Sequence, residues 1–408
     1  MRVCSLAVWL LLAAPALGHG VSPDLGSQPA TPADGPSTAA TLRAKALDLG
    51  YNLDHEQALA TFKQSIAADP DDPAGYRLAA ATIWITLLFE QGAITVEDYL
   101  GQARGDVARA APRPELAAQF HDYLQRARAL AERRLREHPD DADAHFQVGA
   151  AFGFDASYTA TIEGRVLASV GPARRAFTEH GRVLELNPAR SDAGLIVGMY
   201  RCAVAELSGL SRLVAFLSGF RGDRDLGLRL VADASRYPSE VQPNALFTLV
   251  LLYNRAGRYD DALNAIQALQ ARYPRNRLLR LEAGGTALRA KRPAEARAWL
   301  EAGLAELRND PRPKAPGEEA RWRYTYGAAL VALKDTQPAE RELEAALDGA
   351  TRDWLRGRIH RELGKLADLS GDRPRARAEY EQAIRLCRQD KDSACAAEAQ
   401  ALARKPYR

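Results

Sequence analysis

The sequence carries almost no net charge. Among its 408 residues, 55 lysines and arginines stand against 52 aspartates and glutamates, which gives a formal net charge of +3. A charge this small produces no field strong enough to attract nucleic acid or an anionic membrane surface. The sequence also has no basic stripe with interleaved aromatic residues, so we expect no nucleic-acid partner.

The sequence lacks the short motifs that accompany common catalytic sites. It contains no G-x-S-x-G nucleophile turn, no G-x-x-x-x-G-K-[ST] phosphate loop and no H-E-x-x-H zinc motif. Its seven histidines show no spacing that places two of them on one helical turn beside a carboxylate. We therefore predict a protein that is not an enzyme and that has no cofactor and no metal site.

Two acidic clusters each follow a proline, at residues 69–73 and 138–145. The second cluster offers Asp141, Asp143 and His145 at alternate positions, an arrangement that could hold a metal ion. However, the clusters lack the glycine and the closing glutamate of a calcium loop, and both place their aspartates directly after the proline. We favour the interpretation that these aspartates cap the helix that follows.

The first 41 residues differ in composition from the rest. Residues 1–18 contain Arg2, an apolar run from Leu6 to Ala14, and small residues near their end, as a secretory signal peptide does. The apolar run is shorter than the roughly 20 residues of a membrane helix, so a retained anchor is the weaker alternative. Residues 19–41 are rich in Pro, Ser, Thr, Gly and Ala and indicate a flexible linker. We therefore expect export to the periplasm or secretion.

Cysteine is rare, with four residues in the whole chain. Cys387 and Cys395 lie eight residues apart near the end, and export into an oxidising compartment would favour a disulfide between them. Cys202 lies in an apolar stretch and is expected to be a buried free thiol rather than a nucleophile.

A chain of this length exceeds the usual size of one compact core unless it is built from repeats. Residues 251–276 combine two amphipathic stretches with a turn glycine and a terminal proline. The same offsets recur three more times, with equivalent residues at Ala262, Ala296, Ala339 and Ala376 and with steps of 34, 43 and 37 residues. A single helical hairpin can bury only one of its two apolar faces, so successive hairpins must stack.

The period of 34 residues resembles that of tetratricopeptide (TPR) repeats. The resemblance implies an all-α, TPR-like α-solenoid, a right-handed superhelix of antiparallel helix pairs. The tryptophan that the family has in its first helix is missing from these units. Residues 238–403 contain the regular repeats, whereas residues 42–237 are predicted to form an irregular and expanded version. Residues 216–234 also show a faint similarity to inclusion-body-clearance and mitochondrial outer-membrane TPR proteins, which concerns architecture alone.

The resemblance implies that fixed positions of each first helix face a concave groove that binds a partner. These positions mix apolar residues with arginine and asparagine, as a surface for an extended or helical peptide does. The arrangement with which some chaperone-binding relatives hold a C-terminal carboxylate is absent, so that ligand is not implied. The predicted groove residues are Asn244, Phe247, Leu251, Asn254, Arg255, Leu278, Leu281, Arg289, Arg321 and Tyr324.

The predicted function is a non-catalytic protein–protein interaction scaffold of the cell envelope. Two alternatives remain open. One is an enzyme whose site, such as a zinc site, combines distant residues of the irregular region 74–237. The other is a membrane-surface or lipid-binding protein that uses the apolar stretches 78–89 and 194–220, although burial within the repeats explains both stretches more simply. Sequence does not indicate the partner or the oligomeric state.

Overall fold

The computed structural model describes residues 37–93, 95–100, 111–207, 222–350 and 352–408. Within these ranges the chain forms α-helices and one short 3₁₀ turn, with no β-strand, which confirms the all-α prediction. In chain order the α-helices are α1 (Thr38–Tyr51), α2 (His55–Ala68), α3 (Pro73–Glu90), α4 (Glu97–Leu100), α5 (Pro114–Glu137), α6 (Ala142–Thr161), α7 (Val170–Leu186), α8 (Gly194–Ala205), α9 (Arg224–Arg236), α10 (Gln242–Ala256), α11 (Tyr259–Arg272), α12 (Leu278–Arg289), α13 (Pro293–Asn309), α14 (Glu318–Ala332), α15 (Thr336–Gly349), α16 (Asp353–Leu369), α17 (Arg373–Gln389) and α18 (Ser393–Arg404).

The helices belong to two compact units. The first unit runs to Leu88 and resumes from Ala111 to Leu249, and the second contains Phe89–Ala110 and Val250–Arg408. Helix α10 contributes to both units. Residues 89–93 and 95–100, from the region predicted to be irregular, belong to the second unit and bind its helices.

The first unit is built from consecutive helices that pack as pairs: α1 with α2, α6 with α7, and α8 with α9. Glycines allow two of these pairs to approach closely. A Cβ atom added at Gly149 would lie 2.5 Å from the His180 ring, and one at Gly198 would lie 2.5 Å from the Gly227 carbonyl oxygen. Cys202 lies at the second of these contacts as a buried free cysteine, as expected.

The second unit repeats one packing pattern along its length, since each helix from α11 to α17 packs against the next. The four alanines that marked the repeat in the sequence, Ala262, Ala296, Ala339 and Ala376, are all completely buried. A Cβ atom added at Gly284 would lie 2.4 Å from Leu300. Small side chains therefore allow the helices of each hairpin to pack closely, as the repeat register predicts.

The turn inside each hairpin of the second unit places one residue in the left-handed region. Gly257 and Gly371 have φ values of 70° and 78°, whereas the equivalent turns use Lys291 and Lys334 at 58° and 60°. A non-glycine residue pays about 1–2 kcal/mol for this conformation. The turn geometry is thus retained where the glycine of the repeat pattern is absent.

Helix starts explain the acidic clusters. A side-chain oxygen of Asp141 accepts a hydrogen bond from the Ala144 backbone N–H at 3.0 Å, and Asp72 accepts one from Ala74 at 2.9 Å. Asp140 and Asp143 form ion pairs with Arg182 and Arg190, and His145 Nδ1 lies within hydrogen-bond distance of Glu179, at 2.5 Å. The predicted capping role of Asp141 and Asp72 is therefore confirmed.

The first described helix begins near the N-terminus of the chain. Residues 1–36, which include the predicted signal peptide, lie outside the described residues. The predicted linker 19–41 is too long at its C-terminal end, because α1 begins at Thr38 with the Ser37 side chain as its cap.

None of the helices in the described ranges has the length and apolar character to cross a bilayer. The apolar stretch 78–89 lies within α3, and most of its residues are buried. The stretch 194–220 is described only as far as Leu207.

The last two helices are covalently joined. Cys387 near the end of α17 and Cys395 in the first turn of α18 form a disulfide bond, and both residues are buried. Asp392 caps α18 by accepting a hydrogen bond from the Cys395 backbone N–H at 3.2 Å. The disulfide therefore anchors the C-terminal helix, which contributes to the site described next.

Candidate functional site

A stretch of the chain itself lies against the first helices of the repeats in the second unit. We call this stretch, residues 91–93 and 95–100, the docked segment. Each of the four first helices, α10, α12, α14 and α16, directs one arginine toward it. These arginines are Arg255, Arg289, Arg321 and Arg358.

Two carboxylates of the docked segment receive most of this positive charge. Glu97 accepts a hydrogen bond from Arg289 Nη1 at 2.6 Å and another from Arg358. Asp98 pairs with Arg321, and the side chains of both partners are only 6% exposed. Glu97 therefore joins α12 to α16, and Asp98 binds α14, which lies between them in the chain.

The backbone of the docked segment is held as well. The carbonyl oxygens of Gln91, Gly92 and Tyr99 accept hydrogen bonds from Arg352, Arg321 and Arg255, at 2.8, 2.5 and 2.5 Å. In the opposite sense, the Val96 backbone N–H donates to Glu282 at 2.6 Å. The segment forms turns and the short helix α4, and side chains that bind its main-chain groups in this way can hold another peptide of similar backbone conformation.

Glu282 is an unusual acceptor because it is buried on α12. Burial raises the pKa of Glu282 to about 7, although the positive charge of Arg289 and the hydrogen bond from Val96 oppose the rise. An ordinary glutamate titrates near 4.5. The residue that accepts the Val96 hydrogen bond therefore changes its charge close to neutral pH.

Trp354 supports the arginines from beneath. Its ring lies 5.4 Å from the Arg321 guanidinium and 5.1 Å from that of Arg358, and the residue is 1% exposed. Guanidinium groups over an aromatic face gain cation–π attraction and lose freedom of movement. Trp354 thus orients the two arginines toward the docked segment.

A cavity of about 440 Å³ continues from Glu97 along α14, α16 and α18. Its basic residues Arg361 and Lys365 both pair with Glu362 and Glu398. Burial also raises the pKa of Tyr324 to about 12, so its hydroxyl group stays protonated. The wall of this cavity includes Thr95, Glu97, Tyr324, Arg361, Lys365 and Tyr407.

Comparison with known proteins identifies the repeats. A family model described as tetratricopeptide repeat matches residues 253–315, which extend from the end of α10 past α13. Residues 253–315 therefore form tetratricopeptide repeats within a helical solenoid fold. No curated protein sequence matches the chain.

Solved structures share the architecture at low sequence identity. The crystal structure of the APC/C hetero-tetramer Cut9–Hcn1 aligns with a TM-score of 0.50 and 15% identity, over 89% of this chain and 56% of that chain. This chain therefore spans little more than half the length of this relative. Yeast Tom70 aligns at 12% identity over 89% and 88% of the two chains, with a TM-score of 0.38. Pseudomonas aeruginosa pilF aligns at 19% identity over 64% and 96%, with a TM-score of 0.37. The likeness to Cut9–Hcn1 concerns the fold alone.

The predicted groove residues divide into three groups. Leu281, Arg289, Arg321 and Tyr324 line the cavity, and Arg255 binds the docked segment. Asn254, Leu251 and Leu278 are buried, and the Asn254 side chain accepts a hydrogen bond from Arg289 Nε at 2.8 Å, which orients that arginine.

Asn244 and Phe247 are not among the residues that line the cavity. Both lie in the first unit, where Tyr51 of α1 covers them. The Tyr51 hydroxyl donates a hydrogen bond to the Asn244 side-chain oxygen at 2.6 Å, and the Tyr51 ring stacks on Phe247 with ring centroids 6.0 Å apart. The repeat register cannot reveal such a cover, because α1 is almost two hundred residues away in sequence.

Several site residues were missed. Arg358, Arg361 and Lys365 follow Arg321, Tyr324 and Ala328 by 37 residues, the same step that separates Ala339 from Ala376. Extension of the register by one repeat would have found them. By contrast, no repeat offset indicates Glu97 and Asp98, which come from outside the regular repeats.

Proposed function

We propose that this protein is a non-catalytic scaffold that binds a partner protein or peptide in the groove of its second unit. One observation carries the proposal: the groove already holds a short stretch of polypeptide, the docked segment, through four backbone groups and two carboxylates. A surface that binds one stretch of chain in this manner has the chemistry to bind another.

The chemistry of the groove supports binding rather than catalysis. Arg289, Arg321, Arg358 and Arg361 form ion pairs with carboxylates. Tyr324 keeps its proton because burial raises its pKa to about 12. Among the described residues, one cluster has metal-ligating types, namely Cys387, Asp392 and Cys395. Its two cysteines are bonded to each other, which removes the thiolates that a metal would need.

We also propose that the protein is exported and works in the periplasm or outside the cell. The composition of residues 1–18 supports export. The Cys387–Cys395 bond supports it too, because disulfides persist in oxidising compartments. Fractionation of cells that express the chain with and without residues 1–18 tests this point, and equal distribution of the two forms would contradict it.

Site-specific photo-crosslinking tests the binding function. A photoreactive residue replaces Ala328, which lines the cavity, or Glu344, an exposed residue of α15 in the same unit. We expect Ala328 variants to capture a discrete partner from envelope extract at native salt, and Glu344 variants to capture none. Equal capture at both positions, or no capture at Ala328, would refute binding in the groove.

A further inference from the structure

We propose that the docked segment is an internal ligand and that the external partner is an acidic peptide, which displaces the segment and places its own carboxylates on the same arginines. This inference rests on the proposed function and adds the chemistry of the partner. The structural basis is the convergence of Arg289, Arg321 and Arg358 on Glu97 and Asp98.

Charge determines which occupants the groove accepts. Asp98 is the carboxylate that the Arg321 side chain contacts, and that arginine side chain is 6% exposed. A departing segment takes from this guanidinium its partners Asp98, Thr95 and Gly92, and another anion in the place of Asp98 restores the lost ion pair. A neutral or basic peptide would leave Arg321 without a carboxylate partner, and Arg289 and Arg358 without Glu97, although Arg358 keeps its ion pair with Asp392. The groove therefore discriminates against both kinds of peptide.

The contacts of the docked segment are ones that another peptide can reproduce. Its carboxylates and three of its carbonyl oxygens accept hydrogen bonds from arginines, and one N–H donates to Glu282. Two adjacent acidic residues in a peptide that adopts the same helical turn carry the same groups. Exchange of one acidic stretch for the other therefore preserves the number of hydrogen bonds and ion pairs.

The cavity beside Glu97 offers an entry point for the exchange. It leads away from the docked segment toward Arg361 and Lys365, whose shared partner Glu398 is 46% exposed in its side chain. An acidic peptide can occupy this cavity first and then advance onto Arg358 and Arg289 as Glu97 leaves. The external peptide thus need not wait for the whole groove to open.

Competition of this kind has a measurable consequence. A ligand for a site that is open only part of the time binds with an apparent affinity reduced by the open fraction. Loss of the segment's carboxylates should raise that fraction. We therefore expect the double variant Glu97→Gln/Asp98→Asn to bind an external acidic peptide more tightly than the wild type, by about tenfold or more.

The probe is a fluorescent peptide with the sequence of residues 91–100, QGAITVEDYL, and its matched control is QGAITVQNYL. Fluorescence anisotropy measures binding of each to the mature wild type and to the double variant. We expect the acidic peptide to bind the variant more tightly, and the control peptide to bind neither protein. Equal affinity of the acidic peptide for both proteins, or equal binding of both peptides, would overturn the proposal.

Hydrogen exchange supplies a readout that requires no variant. In the wild type, saturation with the acidic peptide should increase exchange at the Val96 amide, which loses Glu282 as its acceptor. Unchanged protection of Val96 in the peptide-bound protein would refute displacement. Failure of the proposed function looks different, because crosslinking at Ala328 would then capture no partner. Capture at Ala328 without peptide binding would reject the acidic ligand and retain the scaffold.

Discussion

Arg321 and Asp98 form a buried ion pair although 223 residues separate them in the chain. The pair joins α14 to the docked segment, and Trp354 supports the arginine from below. A double-mutant cycle with Arg321→Gln and Asp98→Asn should give a coupling free energy of about 1–3 kcal/mol, because the two groups share one poorly hydrated contact. Urea unfolding of the four proteins measures it.

The matched control for this cycle is the pair Arg292–Asp260 in the same unit, whose side chains are 43% and 74% exposed. Solvent and salt screen such a pair, so its cycle should show no measurable coupling. Similar coupling in the two cycles would contradict the importance that we assign to burial.

Glu282 should make the second unit less stable as the pH rises. Its pKa of about 7 in the folded protein exceeds the ordinary 4.5, so between these values the folded state binds more protons than the unfolded state. The stabilisation is complete below pH 4.5 and is lost as the pH rises through 7. Between pH 4.5 and 8, the free energy of unfolding of the wild type should fall by about 3 kcal/mol relative to that of Glu282→Gln. Urea unfolding across this range, with the exposed Glu344→Gln as control, measures the difference.

His180 should have the opposite effect in the first unit. Burial lowers its pKa to about 4, below the ordinary 6.5, so the unfolded state binds more protons between these values. The stability that depends on neutral His180 is therefore present above pH 6.5 and disappears as the pH falls through 4. As the pH falls over this range, the free energy of unfolding of the wild type should decrease by about 3 kcal/mol relative to that of His180→Gln. A stability difference independent of pH would show that the ring is not desolvated.

Two neighbouring glycines of α12 should respond in opposite directions to alanine. A Cβ atom at Gly284 would lie 2.4 Å from Leu300, so Gly284→Ala overpacks the contact with α13 and should cost about 1–3 kcal/mol. At Gly285 the nearest atom is the flexible end of Arg289, at 3.4 Å. Gly285→Ala should stabilise the helix by about 0.5–1 kcal/mol. Thermal unfolding of both variants checks the register, and equal effects would refute it.

The disulfide should stabilise the end of the second unit. The loop that it closes is short, with a sequence separation of 8, and the chain-entropy estimate for such a loop is about 2–3 kcal/mol. Reduction, or the double variant Cys387→Ala/Cys395→Ala, should lower the unfolding free energy by that amount. Cys202 lies in the first unit and takes no part in this disulfide, so its environment should not respond to reductant. No change on reduction would contradict the prediction.

How much of the site is predictable from sequence depends on the range of each interaction. Arg289 and Arg321 were found because the repeat register assigns every first-helix position a direction. Arg358 was accessible to the same reasoning and required only one more repeat. Their ligands Glu97 and Asp98 were not accessible, since no periodic pattern connects an irregular segment to a distant helix.

The sequence by itself determined the all-α architecture and the repeat register, because helical hairpins are specified by local periodicity and by small residues such as Ala262 and Ala296 at close contacts. It also determined the helix caps, as at Asp141, which depend on neighbours three residues away. Only the tertiary structure decided which surfaces are covered. Tyr51 covers Asn244, and Asp98 covers Arg321, because burial and charge pairing act between groups that are close in space, whatever their separation along the chain.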